Sequence, residues 1–181
     1  RGAVHFVVLN TDTRVTTKDP KTGETKIAMI PTQWLKQDLD AAEKNHKIKC
    51  VVVMGHRNLV APANAKGEAP IDPECTNPTI EVFKSHPKVR VYVCAHVHAF
   101  DITEIGTSGV KQTIFGNGGS KLEKEWNPTR GRTFGFGYFK VYSDGSLGVV
   151  PYLRPEPKNY TEMSSEQVVP ATPEAEIILP V

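Results

Sequence analysis

The chain alternates short apolar runs with polar or glycine- and proline-marked breaks, and the period of each run sets the element it predicts. Val4 to Leu9 reads as a strand with Asn10-Thr-Asp-Thr13 as its polar exit. Arg14 to Ala28 is polar, with turn signals at Asp19-Pro20 and Thr22-Gly23, and reads as an exposed loop or hairpin. Pro31-Thr32 opens a helix with Thr32 as candidate N-cap, a stripe of Trp34, Leu35, Leu39 and Ala42, and an end near Asn45-His46. Ile48 to Met54 is nearly continuous in apolar residues, the pattern of a strand covered on both faces. Leu59 to Glu74 reads as a proline- and alanine-rich loop. Asn77-Pro78 then starts a second helix, which Pro87 stops near His86.

Val89 to Cys94 predicts a further buried strand. Short strands follow at 99–105, 110–115, 134–142 and 146–153, with hairpin signals at Gly106-Thr-Ser-Gly109 and Ser143-Asp-Gly145. Strand, helix, strand, helix, strand and then hairpins make a layered, mixed α/β fold. Five prolines in the last 27 residues break any sustained period. Residues 1–153 are therefore expected to form the body and 154–181 a proline-rich extended tail, with Ile177-Ile-Leu179 able to dock.

Bulk properties narrow the functional classes. A length of 181 residues suits one domain with a sizeable core. A net charge of +2 gives no reason to invoke nucleic acid or an anionic membrane. No apolar run approaches the roughly 20 residues of a spanning helix. Arg1-Gly2-Ala3 leads directly into the first strand, an abrupt start expected of a cut fragment or processed subunit. Cys50 and Cys94 fall inside apolar strands and read as buried thiols, while Cys75, in the expected loop, is open to pairing or to staying free. Asn159-Tyr160-Thr161 is the usable glycosylation sequon and weakly allows a secretory location.

The chemistry concentrates at strand ends. Val91-Tyr-Val-Cys-Ala-His-Val-His-Ala-Phe100 ends in His96 and His98, two apart. Ile48-Lys-Cys-Val-Val-Val-Met-Gly-His-Arg57 ends the same way in His56. Three imidazoles on one rim are candidate ligands of a hydrolytic metal site. Arg57 reads as a phosphate clamp or as a surface arginine. Gly116-Asn117-Gly118-Gly119-Ser120 reads as an anion-approaching loop, with Asn117 a candidate phosphate contact, or as a tight turn only. Asp101 is either an acceptor fixing an imidazole tautomer or a solvated strand residue, the second being favoured. Asn10 and Asp12 are placed to reach the same rim. His5 reads as structural, His46 as a cation at a helix C-terminus, and His86 as a surface residue.

Met54-Gly-His-Arg57 followed by Cys94-Ala-His-Val-His98 resembles the last two metal-binding motifs of the calcineurin-like metallophosphoesterases, most closely the purple acid phosphatase branch. Val4–Asp12, Thr32-Gln-Trp-Leu35 with Leu39, Phe115-Gly-Asn-Gly-Gly119 and Gly135-Phe-Gly-Tyr-Phe139 resemble other parts of that family in the same order, covering about residues 1–153. The resemblance implies a layered β-sandwich flanked by helices, of which this chain is about half. It also implies a centre of two metal ions (iron, zinc or manganese) hydrolysing a phosphate ester. His56 and His96 would bind one ion and His98 the other, with Arg57 near the phosphate.

Two departures follow. Position 95 is Ala where the family has Gly, and the family's Asp-x-His, Gly-Asp-x-x-Asp and Gly-Asn-His-Asp/Glu motifs do not occur in the chain. Hard cations need carboxylates, so a second polypeptide or a missing N-terminal half is expected to carry the Asp and Asn ligands. The competing readings are a mononuclear hydrolase using His56, His96 and His98, and a non-catalytic phosphoesterase-like binding module.

Overall fold

In the computed structural model, residues 2–19, 21–67, 69–126, 132–157 and 170–180 are described. In chain order the elements are β1 (Val4–Val8), β2 (Val15–Lys18), β3 (Thr25–Ala28), α1 (Thr32–Lys44), β4 (Cys50–Met54), β5 (Ala65–Lys66), α2 (Pro73–Lys84), β6 (Val89–Cys94), β7 (Phe100–Glu104), β8 (Lys111–Phe115), β9 (Glu125–Trp126), β10 (Thr133–Val141), β11 (Leu147–Pro155), β12 (Thr172–Pro173) and β13 (Ile177–Leu179).

The main sheet has the order β1-β4-β6-β8-β7. Its first four strands are parallel and β7 returns antiparallel to β8. A second sheet is built on β11, which pairs antiparallel with β10, β12 and β13. Alternation along β4 explains the layering. Val51 and Val53 join Leu35, Leu39, Phe83 and Tyr92 in the core beneath the helices. Cys50 and Val52 join Val91, Leu147, Val149 and Leu179 in the core between the two sheets. The run of apolar residues therefore serves two cores, each buried branched side chain contributing about 1.5–3 kcal/mol. The result is the expected mixed α/β sandwich: helices, main sheet, second sheet.

Several elements differ from expectation. Thr32 is the first helical residue of α1 rather than its cap: Pro31 precedes it, and the Thr32 hydroxyl donates to Ile30 O at 3.3 Å. Trp34 is exposed, because it lies about 100° round the helix from Leu35. The second helix begins at Pro73, four residues before Asn77. Asp72 caps it by accepting from Glu74 N at 2.9 Å, and Pro73 occupies the first turn, so Asp-Pro-Glu is the operative start signal. Pro78 is carried inside the helix. Cys75 is consequently helical and buried, and like Cys50 and Cys94 it forms no disulfide.

His86 is not a surface residue. It is buried at the end of α2, with Nδ1 2.6 Å from Val82 O and Nε2 3.0 Å from Asp40 Oδ1, and so ties α2 to α1. His5 is structural as expected, its Nε2 lying 2.7 Å from Asp38 Oδ2 on α1. β2 and β3 form the anticipated hairpin. The body strand β11 continues to Pro155, and the described part of the C-terminal segment lies along it as β12 and β13. The sequon at Asn159 lies outside the described residues. Among them, no helix is long and apolar enough to cross a membrane.

Candidate functional site

The site forms where the parallel strands β1, β4, β6 and β8 end. Leu9 N donates to Met54 O and Gly55 N to Val93 O, so the three chain exits leave the sheet in register. The turn after β4 carries His56 and Arg57. Its two amides, His56 N and Arg57 N, both donate to Thr11 Oγ1 at 3.0 and 2.9 Å. Thr11 is 1% exposed and comes from the exit of β1. From beneath, Tyr92 Oη donates to Arg57 O at 2.6 Å, and burial pushes that phenol well above its ordinary range. Gly55 is required by this packing: a Cβ there would lie 2.3 Å from Tyr92 Oη and 2.8 Å from Thr11 Cγ2.

The loop leaving the turn is held by two buried polar side chains. Gln112 Oε1 accepts from Leu59 N at 2.7 Å and Val60 N at 3.1 Å, and its Nε2 donates to Val60 O at 2.9 Å. Asp101 accepts from Ala63 N at 3.2 Å, Asn64 N at 3.0 Å and the Thr103 hydroxyl. Asp101 is fully buried, so the solvated-strand reading fails; it bonds this loop rather than an imidazole. Thr11 and Gln112 were not singled out in the sequence, since a lone threonine in an exit loop and a glutamine inside a strand carry no signal of their own.

His56, His96 and His98 line one open pocket of about 430 Å³, together with Ala95, Phe115 and the glycines of the 116–119 loop. His96 Nδ1 lies 3.0 Å from His56 Nε2, and its Nε2 lies 3.3 Å from Arg57 Nη1. A guanidinium only donates. His96 Nε2 therefore accepts, and Nδ1–H donates to His56 Nε2. His98 is set differently: Nδ1 donates to Lys121 O at 2.8 Å, leaving Nε2 as the lone-pair nitrogen. A backbone carbonyl holding one nitrogen while the other is left to bind is the usual support of a metal-ligating imidazole.

The other sequence candidates divide. Arg57 reaches the rim, donating from Nε to Asp12 Oδ1 at 2.8 Å, so Asp12 meets the site through this ion pair. Asn10 does not: its Oδ1 accepts from Asp12 N and Thr13 N and closes the local turn. Asn117, the candidate phosphate contact, is fully buried. Its Nδ2 donates to Thr133 O at 3.2 Å and its O accepts from Gly135 N, so it ties the loop to β10 instead of facing a ligand. Gly116 is an obligatory glycine, since a Cβ there would fall 1.9 Å from Val97 O and 2.2 Å from Ala95 O. Ala95 itself is unstrained: among the described residues no non-glycine has positive φ.

Two imidazole nitrogens bound about 2.0–2.1 Å from one ion sit about 3 Å apart, the spacing of the His56–His96 pair, where the proton on His96 Nδ1 has to leave before both nitrogens can face an ion. Yet among the described residues no group of three His, Cys, Asp or Glu side chains is gathered to hold a metal ion. The histidines fit part of a ligand set and do not complete one.

No family model matches the chain, and no curated protein matches it. Among solved structures it is similar to the crystal structure of a dimetal phosphatase from Danio rerio, with 22% sequence identity and a TM-score of 0.41. That match covers 66% of this chain and 33% of the other, so the chain spans about a third of the length of the structure it matches.

Proposed function

We propose that this chain is the histidine-bearing part of a metal-dependent phosphoester hydrolase of the calcineurin-like type, resembling the purple acid phosphatase branch. The observation that carries the reading is the arrangement of three imidazoles at the ends of two adjacent parallel strands, around one pocket. His56 and His96 would hold one ion and His98 Nε2 a second, the ions being iron, zinc or manganese. When bound, such ions supply Lewis-acid activation of water and of the phosphate ester.

The chain's own residues give position and charge. Thr11 and Tyr92 fix the turn that carries His56 and Arg57, and Arg57 places a cation at the rim beside His96. Gly118 and Gly119 line the pocket, letting backbone amides approach an anion without a Cβ in the way, while Gly116 N is held by Ala99 O.

Three imidazoles bring no negative charge to two divalent ions. We infer that carboxylate and asparagine ligands come from a further polypeptide segment, as a separate chain or as a covalent N-terminal half. The position of β1 supports this, since it ends the main sheet with no strand on its outer side among the described residues. Phe6 and Val8 on that strand are 53% and 70% exposed, an apolar pair left uncovered beside the site. A strand added there would run about 4.8 Å from β1 and end near Asp12 and His56.

Hydrolysis of a chromogenic phosphate ester by this chain together with that segment, in added metal, tests the reading. Activity is expected only from the combination, with two metal ions per folded unit, and is expected to be lost in His96→Ala. Activity indifferent to His96→Ala would sink the assignment. An intact fold that takes up no metal would identify a binding module instead.

A further inference from the structure

His98 lines two pockets. Beyond the histidine pocket lies a second hollow of about 630 Å³, bounded by Lys66, His98, Lys121, Glu123, Lys124 and Glu125. The loop after β8 lines both, Gly116 to Ser120 at the first and Lys121 to Glu125 at the second, and it is tightly built. His98 Nδ1 donates to Lys121 O at 2.8 Å, His98 N to Glu123 Oε1 at 3.2 Å and Glu123 N to His98 O at 3.1 Å. From the other side Arg132 donates to Leu122 O at 3.3 Å, to Lys124 O at 3.2 Å and to Glu123 O, and pairs with Glu156. The backbone bearing Lys121 and Lys124 is therefore held at both flanks.

The charges on this wall are unevenly satisfied. Lys66 pairs with Glu125 at 2.8 Å, and Glu123 is occupied by the His98 amide. Among the described residues neither Lys121 nor Lys124 has a side-chain partner. Two free ammonium groups thus stand over a hollow in which, among the described residues, three lysines face two carboxylates, one of which is paired with Lys66. Ammonium groups on flexible stems suit a phosphate as point charges.

We propose that this second pocket receives a further phosphate on the substrate whose scissile phosphate occupies the histidine pocket, so that the preferred substrates are bisphosphorylated. This rests on the phosphoesterase reading. Isothermal titration of the full chain, in the presence of zinc ion, with 1,3-propanediol monophosphate and with its bisphosphate tests it. The bisphosphate is expected to bind more tightly, and Lys121→Gln with Lys124→Gln to weaken it about fivefold to tenfold, as loss of two exposed charge contacts would. Monophosphate binding is expected to weaken less than bisphosphate binding in that variant, whose side-chain changes leave the Lys121 carbonyl on His98 in place, and to fall in His96→Ala. Equal bisphosphate affinity in wild type and double-glutamine variant overturns the proposal while leaving His96-dependent monophosphate binding, and with it the phosphoesterase reading, intact. Lysine-dependent bisphosphate binding that ignores His96→Ala also overturns it, because the two pockets would then not share one substrate. Charge reversal with Lys121→Glu is expected to deepen the loss selectively for the bisphosphate.

Discussion

His96 presents Nδ1 to His56 Nε2 at 3.0 Å while its other nitrogen accepts from Arg57 at 3.3 Å. In this arrangement Arg57 sets the orientation of one imidazole, which in turn meets the second. Arg57→Lys keeps the charge but loses the planar fork that reaches Asp12 and His96 together. Zinc on His96 Nδ1 places the ring proton on Nε2, facing the guanidinium donor, so the expected outcome is zinc binding that is not weakened, with little change in thermal stability, checked by competition with a chromogenic chelator. His56→Ala and His96→Ala are expected to weaken the same binding event, and His98→Ala to leave it largely in place. Equal loss in all three would instead support a single ion held by three histidines.

Thr11 satisfies two part-buried amides with one hydroxyl oxygen. Thr11→Val keeps the shape and leaves both donors unpaired, at about 1–3 kcal/mol for such a group. Urea denaturation should show that loss. Thr11→Ser should recover most of it.

Gly116 and Gly119 lie three residues apart in one loop and should respond oppositely to alanine. At 116 the added carbon meets two carbonyl oxygens, whereas at 119 nothing lies within 4 Å. Gly116→Ala is expected to cost at least about 2 kcal/mol, as overpacking does. Gly119→Ala should stay within about 0.5 kcal/mol of wild type. Paired melting curves would check both.

Asp40 links pH to the helix layer. Hydrogen bonds from Lys36 and then His86 hold its carboxyl below the ordinary range. Its folded value lies below the unfolded value of about 3.9. The stabilisation is therefore fully present above that pH and is lost as pH falls through the folded value. Asp40→Asn should flatten the fall in stability below about pH 4, seen by following unfolding midpoints from pH 5 to pH 2.

The three cysteines should be silent in the native protein. All are buried and none is in a disulfide, and burial pushes the Cys50 thiol up to about 11 and the Cys94 thiol higher still. A colorimetric thiol reagent at pH 8 is expected to react slowly with folded chain and to titrate all three after denaturation.

The sequence made the strands and the histidine rim legible because each depends on local pattern. A continuous apolar run such as 50–53 has few alternatives, and a histidine at a strand exit is fixed by the strand before it. What escaped was decided by partners distant in sequence. His86 looked exposed beside Pro87, yet Asp40 of α1 covers it. Asp101 looked solvated, but its ligands are amides nearly forty residues earlier. Asn117 looked like a phosphate contact from its glycine neighbours and is instead drawn inward by Thr133 O. The second helix was misplaced because Asn77-Pro78 resembles a start, and only the Asp72 cap settles which proline begins it.

The closeness of Gly116 to the carbonyls of Ala95 and Val97 has a use beyond this chain. A histidine can be exchanged and leave a folded, inert protein, so histidines alone mark lineage poorly. A position where even a methyl group collides with backbone admits almost no substitution while the strand ends stay as they are. When sequences are sorted into those that share this scaffold and those that only share its chemistry, glycine at 116 is the better diagnostic character.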